Sequence, residues 1–370
     1  MTNFYHKAKI TGNPFPKILG LTASALTKSD PNSLFHIEKT LDCVCRTPTK
    51  NRLELQTHVK VPAFVQIFYN VSSGDRTRPQ TTSLASLERV FFSLDISEDP
   101  YILALKSDDS ERSQRELAKL LLNHKTWVQQ QMKRLLETSI VIYTELGPWA
   151  VDYYIHRIVE NSKSLTETSG VDGFVGSQDA SGSEKRYLHS KLRAVEISDR
   201  CIVTHTPTSL FSDKVNKLVE TLLSQTGEVR GIVFVTRRAT AEVLAVLLRT
   251  HPLVRNMFKF GTFVGTSTST HRTRDISEVV DFETQKHVLD KFRKGDIDIV
   301  IATDVLEEGV DVPACNLVVC FDKPSNLKSF VQRRGRARQK DSQLILFLDS
   351  ENDKGRLAEF QALEEKMKQL

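Results

Sequence analysis

Apolar residues recur with three different rhythms along the chain, and each rhythm predicts a different kind of structure. Residues 1–60 are polar and mixed apart from Lys17–Thr22, whose short apolar run predicts one buried strand. Residues 84–160 repeat apolar side chains at spacings of three and four, which is the period of an amphipathic helix. This second region is therefore expected to form a helical bundle.

Beyond residue 200, short runs that are apolar at consecutive positions alternate with stretches of helical periodicity. Strands of this kind are buried on both faces, and helices between them connect such strands in parallel. The pattern predicts an α/β domain with a parallel sheet at residues 200–350. Its predicted strands include Gly231–Val235, Ile297–Ala302, Leu317–Phe321 and Leu344–Leu348.

Two other segments match neither pattern. Residues 161–183 are rich in Ser and Gly, a composition typical of a flexible linker. Residues 351–370 are charged and have helical periodicity. The chain is thus expected to consist of an N-terminal segment, a helical bundle, a linker, an α/β domain and a short helical end.

Composition and charge are those of a globular protein with one basic segment. The chain has 370 residues, of which 39% are apolar and 26% charged. This length suits two compact domains, or one domain that carries a large insertion. A net charge of +5 is only a weak indication of a polyanionic partner. The distribution is more informative, because Lys328–Lys340 holds six basic and no acidic residues.

Cysteine spacing argues against a zinc-binding protein, and hydropathy argues against a membrane-spanning or secreted one. Five cysteines, at positions 43, 45, 201, 315 and 320, match no zinc-binding spacing, so reduced thiols and no metal site are expected. No apolar run is long enough to cross a bilayer, and the first residues lack the apolar core of a secretory signal. The sequence predicts an intracellular protein of the cytoplasm or nucleus.

The loop that follows the predicted strand Ile297–Ala302 carries candidate ligand-binding groups. Loops at the carboxyl ends of parallel strands supply the ligand contacts of such sheets. Thr303 offers a hydroxyl and a backbone N–H to a phosphate, and Asp311 offers an acceptor to a ribose hydroxyl. Gly309 between them is suited to a left-handed turn. An acidic loop that only confers solubility remains an alternative.

The basic segment follows a predicted helix, Leu327–Arg334, that starts at Asn326 and ends at Gly335. If the chain is extended beyond the glycine, Arg336 and Arg338 project to the same side of the carboxyl-end rim of the sheet. Two guanidinium groups aimed together, with Gln332 one turn back, suit a triphosphate. The alternative is a solvated basic tail or a transport signal.

A third set of polar residues follows the strand that ends at Val235. Arg238 lies just beyond that strand, and the segment 264–274 adds Gly265, Thr266, further hydroxyls and two arginines. Amide N–H groups, hydroxyls and arginines together suit a sugar–phosphate backbone and carry no base-reading information. For the Ser- and Thr-rich run, an ordinary polar loop is an equally good interpretation.

In this order, these segments resemble the second RecA-like domain of a superfamily-two helicase, most closely that of Dicer and of fungal Dicer-like proteins. Gly231–Arg238 is similar to motif IV, residues 288–324 to the motif V region and Gln332–Arg338 to motif VI. Leu19–Ala25 resembles motif III at the end of the first RecA-like domain. The stretch ELGPWAVDYYI, residues 145–155, resembles the helical insertion of Dicer-type helicases.

The resemblance implies a RecA-like helicase C-terminal domain at 200–350, with an all-α insertion at 84–160. Residues 1–60 would be a remnant of the first RecA-like domain, and residues 351–370 the start of the helical arm that follows the helicase. By the same likeness Arg336 and Arg338 would be arginine fingers, with Gln332 beside them, and Gly309 and Asp311 would border ATP. The RNA backbone would contact Thr303 and Arg238, and motif III would couple the domains through Thr22 and Ser24.

The chain departs from the family's motifs in two respects. The minor departure is at Asp304, which stands where Dicer-type motif V often has Ser. The larger departure is that neither Gly-Lys nor Asp-Glu, the dipeptides of a P-loop and of a magnesium-binding box, occurs in the chain. ATP with Mg²⁺ is therefore expected only together with a missing RecA-like domain, and no ribonuclease domain is expected.

Three functional hypotheses follow. The chain is the C-terminal portion of a double-stranded-RNA-dependent ATPase of RNA interference and antiviral defence. Alternatively it is a non-catalytic RNA-binding or regulatory module, or a partner-binding scaffold whose arginines serve only solubility.

Overall fold

A computed structural model describes most of the chain. The described residues are 2–17, 32–46, 54, 61–71, 81–123, 125–163, 182–198, 210–265, 276, 285–307, 309–350, 353, 358 and 362. The predicted strand beyond Lys17, most of the predicted linker 161–183 and most of residues 351–370 lie outside this set, as do Thr22, Ser24 and Thr266.

Twelve α-helices and six strands are present in the described part. The helices are α1 Lys7–Ile10, α2 Asn32–Leu41, α3 Thr82–Phe92, α4 Pro100–Lys106, α5 Glu111–Asn123, α6 Trp127–Leu146, α7 Pro148–Asn161, α8 Gly182–Arg193, α9 Asp213–Leu223, α10 Arg238–Thr250, α11 Gln285–Lys294 and α12 Leu327–Arg334. The strands are β1 Ala63–Tyr69, β2 Gly231–Phe234, β3 Phe260–Phe263, β4 Ile299–Ala302, β5 Leu317–Cys320 and β6 Gln343–Asp349.

The strands form one sheet in the order β1-β6-β5-β2-β4-β3. The pairs β1 with β6, β6 with β5, β5 with β2 and β4 with β3 are all parallel. Every residue of β2, β4 and β5 is buried, which is the burial that consecutive apolar positions predict. The predicted α/β fold with a parallel sheet, typical of a RecA-like helicase domain, is confirmed.

Strand β1 was not predicted, and it changes how the helices relate to the sheet. It pairs along its whole length with β6, from Ala63 opposite Gln343 to Tyr69 opposite Asp349. Helices α3 to α8 therefore lie in the chain between the first and second strands of one sheet. This topology is that of an insertion into an α/β domain.

Capping residues explain where several inserted helices begin. The side chains of Thr81 and Thr126 accept hydrogen bonds from the backbone amides of Leu84 and Gln129, at the starts of α3 and α6. Helix α7 starts with Pro148, whose missing N–H costs nothing at this position. None of the described helices has both the length and the apolar character needed to cross a membrane.

By its contacts the chain divides into two compact units. One comprises residues 1–69, 226–235 and 304–370, and includes β1, β2, β5, β6 and α12. The other comprises residues 70–225 and 236–303, and includes α3 to α11 with β3 and β4. The predicted helical bundle belongs to the second unit, where α6 packs on α3, α7, α8, α9 and α10.

Within the second unit, Gly147 forms a tight junction between α6, α7 and α9. Its φ of +104° and ψ of −179° lie in a region that is essentially restricted to glycine. A Cβ here would lie 2.7 Å from the amide nitrogen of Ser212 and 2.8 Å from the carbonyl oxygen of Leu210. Ser212 caps α9 through Val215 and donates its hydroxyl to Glu145 O at 2.6 Å. These contacts join the α6–α7 junction to the start of α9.

Candidate functional site

Helix α12 carries the basic segment and has the predicted bounds. The side chain of Asn326 accepts a hydrogen bond from the amide of Ser329 at 2.9 Å and so caps the first turn. Leu327 and Phe330 are buried on one face. Gly335 closes the helix with a right-handed φ of −64°, so a left-handed glycine is not what ends it here.

The helix returns the chain to the amino end of β5. Eight helical residues span about 12 Å, and four strand residues span about 13 Å, so α12 is as long as the strand it follows. Ala337 forms a parallel bridge with Cys315, just before β5, and Arg338 N donates to Cys315 O at 3.1 Å. The expected placement of the arginines at the carboxyl-end rim is therefore wrong.

Arg336 and Arg338 differ in exposure, and the chain between them turns after Gly335 instead of extending. The amides of Arg336 and Ala337 each donate to the carbonyl three residues earlier, at 3.0 Å. Arg336 is 8% exposed and Arg338 is exposed. The extended backbone that was expected beyond Gly335 is therefore wrong.

The guanidinium of Arg336 binds the loop that carries the candidate nucleotide residues. Nη1 donates to Val310 O at 2.9 Å, and Nη2 donates to Glu307 O at 3.0 Å. Burial lowers the pKa of Arg336 and repulsion by Arg338 lowers it further, whereas attraction by Asp311 raises it. Arg336, Arg338 and Asp311 are therefore close enough to interact electrostatically.

The loop itself has the predicted turn at Gly309, which has a left-handed φ of +77°. A Cβ on this glycine would meet no atom within 4 Å, so the backbone angle and not the available space favours glycine. Asp311 is exposed two residues later. Burial raises the pKa of Cys315 to about 12, so this thiol is neutral and does not offset the charge of Arg336 at neutral pH.

Gln332 is half-buried on α12, one turn before Arg336. Arg333, the next residue, was not predicted as a site residue, although it forms a buried ion pair with Glu307. Its Nε donates to Glu307 Oε1 at 2.7 Å, and its side chain is 4% exposed against 10% for Glu307.

Further contacts complete the network around this ion pair. Nη1 of Arg333 donates to Asp322 O at 2.7 Å, and the guanidinium lies 5.0 Å from the centroid of the Phe234 ring. Ser329 donates its hydroxyl to the same Glu307 oxygen at 2.5 Å. The signal that could have found Arg333 is its spacing of three from Phe330, which places it on the buried face of α12.

Three of the candidate RNA-backbone residues lie in the second unit, at or just beyond paired strand ends. Phe263 and Ala302 are opposite each other in β3 and β4, so Gly265 and Thr303 follow the carboxyl ends of neighbouring strands. Arg238 is the first residue of α10, which packs against both strands.

Thr303 differs in one respect from what was expected. Its side chain is buried, at 4% exposure, and its amide N–H donates to Phe263 O at 3.3 Å. The backbone N–H that was predicted to meet a phosphate is thus used inside the sheet.

Comparison with known proteins shows what the chain is similar to. Residues 213–340 match the family described as helicase conserved C-terminal domain. Dicer-like protein 2 of Pyricularia oryzae is 40% identical over 370 residues, and Dicer-like protein 2 of Cryphonectria parasitica is 39% identical over 369 residues. Both alignments cover 100% of this chain but only 24% and 25% of the relatives, so the chain spans about a quarter of their length.

Among solved structures, the helicase domain of Pyrococcus furiosus Hef aligns with 90% of this chain and 64% of its own. The TM-score is 0.40 and the sequence identity 18%, a likeness too low to bear on function.

Proposed function

We propose that the chain is the C-terminal portion of a Dicer-like helicase, because residues 213–340 match the helicase conserved C-terminal domain family and the whole chain is similar to about a quarter of fungal Dicer-like protein 2. Its activity would be that of a double-stranded-RNA-dependent ATPase in RNA interference and antiviral defence. The ATPase would need the first RecA-like domain of such a helicase, with its Gly-Lys-Ser/Thr and Asp-Glu sequences, because neither the Gly-Lys nor the Asp-Glu dipeptide occurs in this chain.

The observation that supports this proposal is that, within one unit, the arginine segment contacts the loop that carries Gly309 and Asp311. Arg336 bonds to two carbonyls of the loop, and both Asp311 and Arg338 act on its charge. A nucleotide needs positive charge at its phosphates and an acceptor at its ribose. Arg338 and Asp311 are both exposed and offer these two chemistries.

The residues present fit ATP in part. Arg338 would meet the phosphates and Asp311 the ribose, with Gln332 and Arg336 beside them. In the part of the chain that the structure describes, no three His, Cys, Asp or Glu side chains form a group able to hold a metal ion. We assign Mg²⁺ binding to the first RecA-like domain. When bound, ATP supplies the phosphoanhydride bond whose hydrolysis drives the cycle.

On the RNA side, Thr303, Gly265 and Arg238 are proposed to contact the sugar–phosphate backbone of double-stranded RNA. Thr303 is 4% exposed and its amide donates to Phe263 O, so this residue needs a local opening of the fold to make that contact. Thr266 completes this proposed set, and Thr22 with Ser24 would couple nucleotide state to the domain interface. Backbone contacts of this kind give affinity without sequence preference.

The decisive experiment is phosphate release in the presence of duplex RNA, with and without a separately expressed RecA-like domain that carries the P-loop. We expect turnover only in the mixture, and none when the P-loop lysine of the added domain is replaced by alanine. Appreciable turnover by the 370-residue chain alone, or none in the mixture, would contradict the proposal.

Two other outcomes identify the remaining hypotheses. An RNA affinity that falls steeply with salt and does not respond to ATP would indicate a non-catalytic RNA-binding or regulatory module. An RNA affinity that is unaltered by Arg238→Ala and Arg336→Ala together would favour a partner-binding scaffold.

A further inference from the structure

Two cysteines separated by one residue follow the end of helix α2. Cys43 and Cys45 are free thiols, and both are partly exposed. Cys315 and Cys320, the other cysteines in the part of the chain that the structure describes, are fully buried at 0% exposure. Thiol reactions require access by the reagent. Among the described cysteines, this pair is therefore the one expected to react.

Both members of the pair are held by one glutamate of the helix. Asp42 has a left-handed φ of +52°, which reverses the chain so that the amide of Cys43 donates to Glu38 O at 3.1 Å. This is the hydrogen-bond pattern of a Schellman helix end. The amide of Cys45 donates to the side chain of the same residue, Glu38 Oε1, at 2.8 Å. The backbone at both cysteines is thus fixed relative to the last turn of α2.

Contacts from the first residues of the chain support this turn. A left-handed conformation is uncommon for a residue other than glycine, so Asp42 needs stabilising contacts. Its Oδ2 accepts a hydrogen bond from the Tyr5 hydroxyl at 3.1 Å and forms an ion pair with Lys9. Nearby, His6 Nε2 lies 3.0 Å from Thr40 O. These contacts preserve the turn that positions Cys43.

The turn brings the two thiols together. Cys43 forms a side-chain hydrogen bond with Cys45. Burial raises the pKa of Cys45, and the neighbouring Cys43 and Glu38 raise it further. The thiolate is the attacking form in disulfide exchange, so the raised pKa of Cys45 favours Cys43 for the first step of such a reaction.

We propose that Cys43 and Cys45 form a reversible dithiol–disulfide site that is oxidised by a small-molecule disulfide such as oxidised glutathione. The Cys43 thiolate attacks one sulfur of the oxidant, whose S–S bond breaks, and one glutathione leaves as its thiolate. Cys45 then releases its proton to water, and its sulfur attacks that of Cys43 and expels the second glutathione. Two protein thiols and one oxidised glutathione give one protein disulfide and two reduced glutathiones.

The same geometry makes the disulfide easy to reduce. A bond between residues two positions apart closes a small ring, and it lies where solvent has access. Strained or exposed disulfides are the ones that thiols reduce readily. The site is therefore a dithiol in excess reduced glutathione and a disulfide when oxidised glutathione dominates. It involves neither the arginine segment nor the candidate RNA contacts, so it stands independently of the proposed ATPase.

Peptide mapping of the 370-residue chain tests the proposal directly. The folded protein is treated with oxidised glutathione, unfolded in iodoacetamide to block every remaining thiol, and cleaved with trypsin. Cleavage after Lys39 and Arg46 releases residues 40–46, which contain both cysteines. We expect this peptide to carry no alkyl group and no glutathione and to be two hydrogens lighter than the dithiol. Prior treatment with excess reduced glutathione should restore two alkyl groups. Peptides with Cys315 and Cys320 are internal controls and should be alkylated throughout.

Variants separate the two steps of the reaction. Cys43→Ser and Cys45→Ser each retain one thiol and should stop at the glutathione adduct. Glu38→Ala removes the acceptor of the Cys45 amide, so we expect the adduct to accumulate and to resolve about tenfold more slowly. Glu38→Gln keeps an acceptor oxygen and should resolve at least as fast as wild type. Far-ultraviolet circular dichroism checks that each variant folds, and the wild-type result decides the site even if Glu38→Ala does not.

Several results would overturn the assignment. A wild-type peptide that carries two alkyl groups or only glutathione, or that is linked to another cysteine, would show that the pair does not close. A disulfide that survives excess reduced glutathione would contradict its reversibility. Resolution in folded Glu38→Ala as fast as in wild type would refute the positioning role of Glu38.

Discussion

The buried ion pair between Arg333 and Glu307 gives the sharpest stability prediction. In Arg333→Met the replacement keeps an apolar stem of similar length but removes the charge. The Glu307 carboxylate, whose side chain is 10% exposed, then retains only the Ser329 hydroxyl among the two contacts described for its Oε1. Breaking a buried pair by removing one partner costs about 3–5 kcal/mol, because an uncompensated charge is left behind. We expect a loss in that range.

Removing both partners should cost much less than the sum of the single changes. In the double variant Arg333→Met with Glu307→Leu, no buried charge is left unpaired, and the apolar side chains can fill the space. A coupling energy of about 2–3 kcal/mol is expected from the double-mutant cycle.

Urea unfolding followed by far-ultraviolet circular dichroism measures these losses. The control is Arg115→Met, which removes the arginine of a pair with Glu111 at 3.0 Å whose side chains are 82% and 86% exposed. Exposed pairs on a helix contribute about 0.3–0.5 kcal/mol. If Arg333→Met cost no more than Arg115→Met, or if the cycle showed no coupling, burial would not control the strength of this interaction.

Three further predictions concern other parts of the chain. In a thermal unfolding assay, Gly147→Ala should lower the stability of the fold by about 3 kcal/mol or more, since it adds backbone strain to a clash with Ser212. Gly227→Ala, at φ +80° in open space, should cost about 1 kcal/mol in the same assay. Burial raises the pKa of Cys315 from 9.0 to about 12, so above pH 9 the unfolded chain binds fewer protons than the folded one. Stability should therefore fall as pH rises, and Cys315→Ala should make the thermal midpoint fall less between pH 8.5 and 10. Arg238→Ala should weaken binding to duplex RNA equally for different sequences and reduce the slope of log affinity against log salt by about 1, a result that an unchanged slope would contradict.

The strands that could be predicted are those buried on both faces. β2, β4 and β5 are apolar at consecutive positions and all their residues are buried, so periodicity identifies them. β1 is an edge strand whose residues are largely exposed, and Gln66 interrupts its apolar run. β3 has four residues and includes Gly261, where a Cβ would lie 2.8 Å from the Ile297 side chain. Its glycine reflects close packing that only the folded structure shows.

At the candidate site, local features were predictable and side-chain directions were not. The bounds of α12 and the left-handed Gly309 follow from capping and turn propensities, which act within a few residues. The direction of Arg336 depends on acceptors at Glu307 and Val310, more than twenty residues earlier in the chain. It also depends on the turn after Gly335, which no residue in the basic segment signals.

Electrostatics accounts for why four arginines within six residues do not all face one ligand. Like charges this close repel, and the repulsion grows as they leave water. Each of the first three has a different partner within the fold: Arg333 pairs with Glu307, Arg334 lies 5.7 Å from the centroid of the Phe330 ring, and Arg336 binds two carbonyls. Arg338 remains exposed at the end of the segment. Because the other three arginines have partners within the fold, Arg338 is the one whose exposed side chain can present its charge to a polyanion.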